Sequence, residues 1–232
     1  MKVPITEIFC SVQGEGLYCG QKQVFLRFAG CNLSCSYCDE PAALSGAGAF
    51  SLSAREAAAA VIGLARKESA RAISLTGGEP LLRWKFIKEL APALKEAGLA
   101  VHLETNGTLY RELSEVKDFA DAISMDVKLP SSTGQRSRWR EHAAFLRAAP
   151  EKTFLKAVVT SETSISDVKK AADLAASVSK SIPFFIQPLT KRPGAAVRPP
   201  EEVFLREACC LCAARLSNVK LLAQQHPEWG VR

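Results

Sequence analysis

The chain has 232 residues, 47% of them hydrophobic, eight cysteines and a formal net charge of +6, which suits a single domain over residues 1–232 with a sizeable core. No apolar run is long enough to span a bilayer, the N-terminus lacks a secretory pattern, and no dense Lys/Arg stripe interleaved with aromatics marks a nucleic-acid surface. The reading is a cytoplasmic protein without membrane or direct nucleic-acid partners, biased toward anionic small molecules, whose cysteines are thiols or metal ligands rather than disulfides.

Residues 5–12, ending at Val12, read as a short strand. Gln13-Gly14-Glu15-Gly16 follows, where two glycines around an acid let the backbone bend tightly and present the carboxylate. Alone this is a turn; placed before the next strand it is a candidate ligand contact. That strand, residues 24–28, carries Arg27 among apolar neighbours. Arg27 is either an outward-facing surface residue or a guanidinium fork for a substrate carboxylate.

The loop after this strand holds Cys31, Cys35 and Cys38 in the spacing C-x3-C-x2-C, with no fourth cysteine close behind. Three thiolates can ligate three irons of a [4Fe–4S] cube and leave the fourth iron open. Zinc, which normally closes a tetrahedron with four ligands, and a chance grouping of buried thiols are the competing readings. The position on a loop that ends a strand favours a built site.

Ser45-Gly46-Ala47-Gly48 reads as a flexible loop, and Ser53 with Glu56 as a capping box that starts an alanine-rich helix to about residue 66. A strand at 72–75 runs into Thr76-Gly77-Gly78-Glu79-Pro80, where paired glycines allow close backbone approach to a ligand. A helix over 83–97 places Trp84, Ile87, Leu90 and Leu94 on one apolar stripe, and Gly98 ends it. The strand at 100–104 leads to Thr105-Asn106-Gly107-Thr108; His102 reads as a packed strand residue, and Glu104, Thr105 and Asn106 sit at the strand's C-terminal end. The strand at 122–128 sets Asp126 and Lys128 on one face. A helix near 138–148, a strand at 153–159 with Lys156 as its odd charge, a helix near 166–177 and a strand at 182–187 ending in Gln187 follow. Residues 188–200, with four prolines, read as irregular; a helix over 201–215 and a strand at 218–222 complete the pattern.

Strand and helix thus alternate about six times, which predicts a parallel α/β sheet curved into an incomplete TIM-like β/α barrel with its active site on one rim. Cys209, Cys210 and Cys212 read as ordinary buried thiols on an amphipathic helix. Cys10 and Cys19 are not expected to be ligands, although Cys10 is placed facing the site region.

The ordered set of Gln13 to Gly16, Arg27 to Leu33, Cys35 to Asp39, Thr76 to Pro80, Glu104 to Gly107 and Asp126 to Lys128 resembles the 7-carboxy-7-deazaguanine synthase family of the radical S-adenosylmethionine (radical SAM) superfamily. The resemblance implies a lyase that converts 6-carboxy-5,6,7,8-tetrahydropterin to 7-carboxy-7-deazaguanine with loss of ammonia, toward queuosine and other deazapurines. It implies that Cys31, Cys35 and Cys38 hold a [4Fe–4S] cluster whose open iron chelates S-adenosylmethionine. It implies substrate contacts from Val12, Gln13, Gly14, Glu15, Arg27 and Gly78, with Glu15 and Arg27 catalytic and Arg27 on the substrate carboxylate. Cofactor contacts are implied for Thr76, Gly77, Gly78, Glu79, Glu104, Thr105, Asn106, Asp126, Lys128 and Gln187. A homodimer, a bound Mg²⁺ and a reduced flavodoxin or ferredoxin-like electron donor are implied as well. Two positions depart from the family pattern. Glu40 stands where a hydroxyl residue usually helps hold Mg²⁺, and a carboxylate is itself a good hard ligand. Asp126 replaces a serine. The alternatives are an activating enzyme for glycyl-radical proteins and a non-enzymatic zinc module.

Overall fold

A computed structural model describes residues 1–190, 196–226 and 228–231. Nine strands form one sheet: β1 (Lys2–Val12), β2 (Lys22–Phe28), β3 (Phe50–Ser53), β4 (Ala72–Gly77), β5 (Ala100–Thr105), β6 (Ala122–Asp126), β7 (Thr153–Val159), β8 (Phe184–Pro188) and β9 (Val219–Leu221). Their order is β3-β1-β2-β4-β5-β6-β7-β8-β9. From β2 onward every pairing along that order is parallel. The crossovers carry α2 (Ala54–Glu68), α3 (Trp84–Glu96), α4 (Tyr110–Val116), α6 (Trp139–Ala148), α7 (Ile165–Val178) and α8 (Glu202–Ala213). Two short helices, α1 (Pro41–Ser45) and α5 (Pro130–Thr133), lie beyond the C-terminal ends of β2 and β6.

Side-chain alternation along each strand explains the layering. Val24, Leu26 and Phe28, Ile73 and Leu75, Val101 and Leu103, Ile123 and Met125, Leu155 and Ala157, and Phe184 and Ile186 belong to one core with the helices. Phe86, Ile87, Leu90 and Leu94 of α3 join it fully buried. Each such Leu or Phe contributes about 1.5–3 kcal/mol by leaving water. The intervening residues take the opposite face: Arg27, Thr76, Glu104, Ser124, Asp126, Lys156 and Gln187 all line one cavity. The sheet is thus apolar toward its helices, and its other face, carrying these polar side chains, lines the lumen of an incomplete barrel.

The structure corrects four expectations. The sheet is not wholly parallel, because β1 runs antiparallel to both β2 and β3. Pairing with β3, a strand that four residues next to a glycine-rich loop do not announce, also extends β1 back to Lys2. Cys10 belongs to the outward-facing set of β1 and packs on the core rather than on the site. Of the late cysteines only Cys212 is buried; Cys209 is partly covered and Cys210 is exposed. Residues 191–195 of the expected irregular segment lie outside the described residues. The capping box is present, with Ser53 Oγ accepting from Glu56 N at 3.3 Å and Glu56 accepting from Ser53 N at 2.7 Å.

Candidate active site

A cavity of about 230 Å³ opens at the C-terminal ends of the strands. Val12, Gln13, Gly14, Glu15, Arg27, Cys31, Cys35, Cys38, Glu40, Thr76, Gly77, Gly78, Glu104, Thr105, Asn106, Asp126, Lys128 and Gln187 all line it. Glu79 is the exception: it is fully buried beneath the surface of the cavity. Sequence reasoning gave no role to Tyr37, Asp39, Lys156, Gln224 and His226, which line it too.

The cysteine loop is held from both sides by backbone. Gly78 N donates to Phe28 O at 3.1 Å and Glu79 N donates to Gly30 O at 2.8 Å, joining the β4 turn to the start of the loop. Across it, Ser36 N donates to Thr133 O and Gln135 Nε2 donates to Ser34 O, both at 3.0 Å. Among the described residues no three His, Cys, Asp or Glu side chains share a single metal-ion site. A zinc ion needs its sulfurs about 2.3 Å from one centre. A cubane takes one thiolate per iron, so its ligands need only face one hollow, as these do. Burial raises all three thiols, Cys35 to about 11. A metal held by these thiols would therefore have to displace their protons.

At the far wall a chain of charge crosses the lumen. Burial alone would raise the Glu15 carboxyl, but the Lys156 ammonium against it, with hydrogen bonds from Lys156 and Gln224, brings it down to about 2. Gln224 Nε2 and Gln187 Nε2 both donate to Glu15 Oε1, at 2.6 and 3.1 Å. Lys156 also lies 3.7 Å from Asp126, which accepts from Lys128 at 2.7 Å. Burial opposes the charge on Lys128, yet the Asp126 carboxylate beside it holds it ionised. Arg27 is clasped by two carboxylates, Glu7 on Nε and Glu40 on Nη2, each at 3.1 Å. Glu104 accepts from Gln13 at 2.7 Å, Ser74 at 2.5 Å and Thr76 at 2.9 Å.

Glu79 contrasts with Glu15. Burial pushes its carboxyl up to about 7, against hydrogen bonds from Asn106 N, Leu81 N and Thr105 Oγ1. A cation beside it would restore its charge. In the cluster-free protein Glu79 is protonated when folded and ionised when unfolded between pH 4.5 and 7, so its contribution to stability is lost as pH rises through that window. His142 works the other way. Burial holds its imidazole down to about 4, so stability rises with pH between about 4 and 6.5. The two slopes offset. Glu79→Gln should therefore show an unfolding midpoint in urea that climbs more steeply from pH 4.5 to 6.5 than that of the parent chain. Parallel curves would mean that Glu79 is ionised throughout.

The sequence pattern of the Radical SAM superfamily matches residues 26–179. A radical SAM methyltransferase from Sphaerobacter thermophilus shares the fold at a TM-score of 0.66 and 15% identity, covering 94% of this chain and 77% of that one. The incomplete barrel with three thiols at its rim thus defines a radical SAM enzyme. The 7-carboxy-7-deazaguanine synthase of Geobacter sulfurreducens is 37% identical over 97% of this chain and 96% of its own length. The synthase of Methanocaldococcus jannaschii is 32% identical over 98% and 99%. QueE from Escherichia coli has a TM-score of 0.65 and 24% identity, covering 97% of this chain and 94% of that chain. The chain belongs to the 7-carboxy-7-deazaguanine synthase family, and neither the glycyl-radical activating enzyme nor the zinc module is favoured.

Proposed function

We propose that the chain converts 6-carboxy-5,6,7,8-tetrahydropterin to 7-carboxy-7-deazaguanine and ammonia. The carrying observation is one cavity with three thiols on one wall and, on another, an ionised carboxylate and a guanidinium. Bound cluster and S-adenosylmethionine supply reversible hydrogen-atom abstraction. The chain's own residues position and discriminate. Glu15, kept anionic by Lys156, accepts from the N–H groups of the aminopyrimidine edge, and Gln13 and Gln187 complete that contact. Arg27 turns its fork to the substrate carboxylate, which competes with Glu40 for it. The Gly77-Gly78 backbone admits the methionine end of the cofactor, and Glu79 meets its ammonium. Thr76, Thr105, Asp126 and Lys128 face the rest of the cofactor, with Asp126 offering a charged acceptor.

Glu40 is the proposed Mg²⁺ ligand, and binding there would draw it from Arg27. The working protein is proposed to be a cytoplasmic homodimer reduced by a flavodoxin or ferredoxin-like protein, in a pathway that ends in a modified tRNA base. Anaerobic incubation with the pterin, S-adenosylmethionine and dithionite should yield the deazaguanine acid. No product from a chain with a complete cluster would sink the proposal. Mg²⁺ should raise the rate of the parent chain and have less effect on Glu40→Ala; identical Mg²⁺ curves would remove the metal role of Glu40.

A further inference from the structure

Asn106 stands where the cluster cradle, the Glu79 pocket and a buried helix face meet. Its backbone N–H donates to Glu79 Oε2 at 2.8 Å, and its carbonyl lies 3.1 Å from His142 Nε2. Its side chain is fully engaged. Oδ1 accepts from Thr108 N at 3.1 Å and from Thr108 Oγ1 at 2.6 Å. Nδ2 donates to Asn32 Oδ1 at 2.8 Å and reaches Cys31 Sγ at 3.8 Å. Asn32 Nδ2 in turn donates to Thr108 Oγ1 at 2.8 Å.

The network fixes the direction of the amide. Thr108 N is a donor in any protonation state, so the end of Asn106 facing it must be the oxygen. The NH₂ end therefore points at the sulfur. His142 holds the far side. It is fully buried and neutral, its Nδ1 has no partner, and a carbonyl faces Nε2, so the proton sits on Nε2 and is donated to Asn106 O. Nothing in the sequence singled out His142, which lies on α6, 36 positions from Asn106.

We propose that Asn106 is a positioning residue that raises the reduction potential of the cluster carried by Cys31, and that Thr108, Asn32 and His142 keep its amide aimed. A donor at a ligating sulfur withdraws charge and favours the reduced cluster, which carries one more electron. Leu33 N, 3.4 Å from the same sulfur, adds a backbone donor that no side-chain substitution removes. The electron comes from an external low-potential one-electron donor, and no bond in the protein is made or broken. The inference rests on the radical SAM reading of the site and not on the pterin.

The test is an anaerobic redox titration, followed by absorbance and electron paramagnetic resonance, without substrate, on the full chain loaded with a complete cluster. Asn106→Asp keeps the shape and replaces the donor by an acceptor. Its reduction equilibrium should fall about tenfold, a midpoint about 59 mV more negative for one electron. Thr108→Val adds no charge and removes the hydroxyl bonds to Asn106 Oδ1 and from Asn32 Nδ2, while the Thr108 N bond stays. It loosens the amide and should move the midpoint the same way by less. Midpoints equal to that of the parent chain in both variants overturn the proposal, and lowered thermal stability with an unmoved midpoint assigns Asn106 a purely structural role. If Asn106→Asp fails to load a cluster, Thr108→Val decides alone. Product formation is not read, so failure of the pterin assignment leaves this result interpretable.

Discussion

Cys35→Ala should give a folded chain that assembles no complete cluster and forms no product. The loop does not depend on the thiol for its shape. Cys38 N donates to Cys35 O at 3.0 Å, and the Ser36 and Gln135 hydrogen bonds tie the same segment to residues 132–135. All of these involve backbone or neighbouring side chains that alanine leaves in place. What disappears is the external ligand of one iron, and no other described cysteine lines the cavity to replace it besides Cys31 and Cys38. The thiol deleted is also the one that burial raises to about 11, so its ionisation comes from the metal and not from the apoprotein. Far-ultraviolet circular dichroism should match the parent chain, while iron and sulfide fall below stoichiometry and the broad visible absorption is lost. A full, oxygen-sensitive brown chromophore in this variant would refute the assignment of Cys35.

The sequence carried the local half of this site. Three cysteines on one loop, paired glycines with an acid behind them, and an arginine in an apolar strand are signals within a few residues, and strand alternation alone suffices to turn Arg27 and Thr76 to the same face. The order of most β/α units was legible for the same reason, since the longer helices show a 3.6-residue stripe; α4, seven residues long, was not read from the sequence. Partnerships across the barrel were not legible. Lys156 stood out as an odd charge, but its partner Glu15 is 141 positions away. Gln224 caps that carboxylate from 209 positions away, on a tail with no periodic pattern. The grip of Glu40 on Arg27, within the loop after β2, was not legible either, because no periodic pattern in that loop announces it. The short edge strand β3 escaped because four residues are too few for a period to show, and its pairing with β1 is a tertiary choice. Cys10 was misplaced by proximity in sequence; strand parity puts it on the other face from Phe9.

Gly78→Ala should abolish cluster assembly as effectively as loss of a ligand, by a route that touches no ligand. A β-carbon at residue 78 would lie 2.1 Å from Gly30 O and 3.0 Å from Cys31 N. Both are backbone atoms of the cluster loop, so no side-chain rotation relieves the overlap, and the chain segments must part. Parting them breaks the 2.8 Å hydrogen bond from Glu79 N to Gly30 O, which registers the β4 turn against the loop. It also moves Cys31 out of the hollow it shares with Cys35 and Cys38, and carries Glu79 away from Thr105 and Asn106. Overpacking of a closed site typically costs about 1–3 kcal/mol, which a domain of this size tolerates, so the chain should fold while the cradle opens. Gly63→Ala provides the control. Gly63 lies within α2, where a β-carbon meets nothing within 4 Å, so alanine there should stabilise the chain by about 0.8–1 kcal/mol and leave iron binding unchanged. Normal iron content in Gly78→Ala would show that the loop can yield without losing its ligand geometry, and would detach the glycine pair from cluster binding.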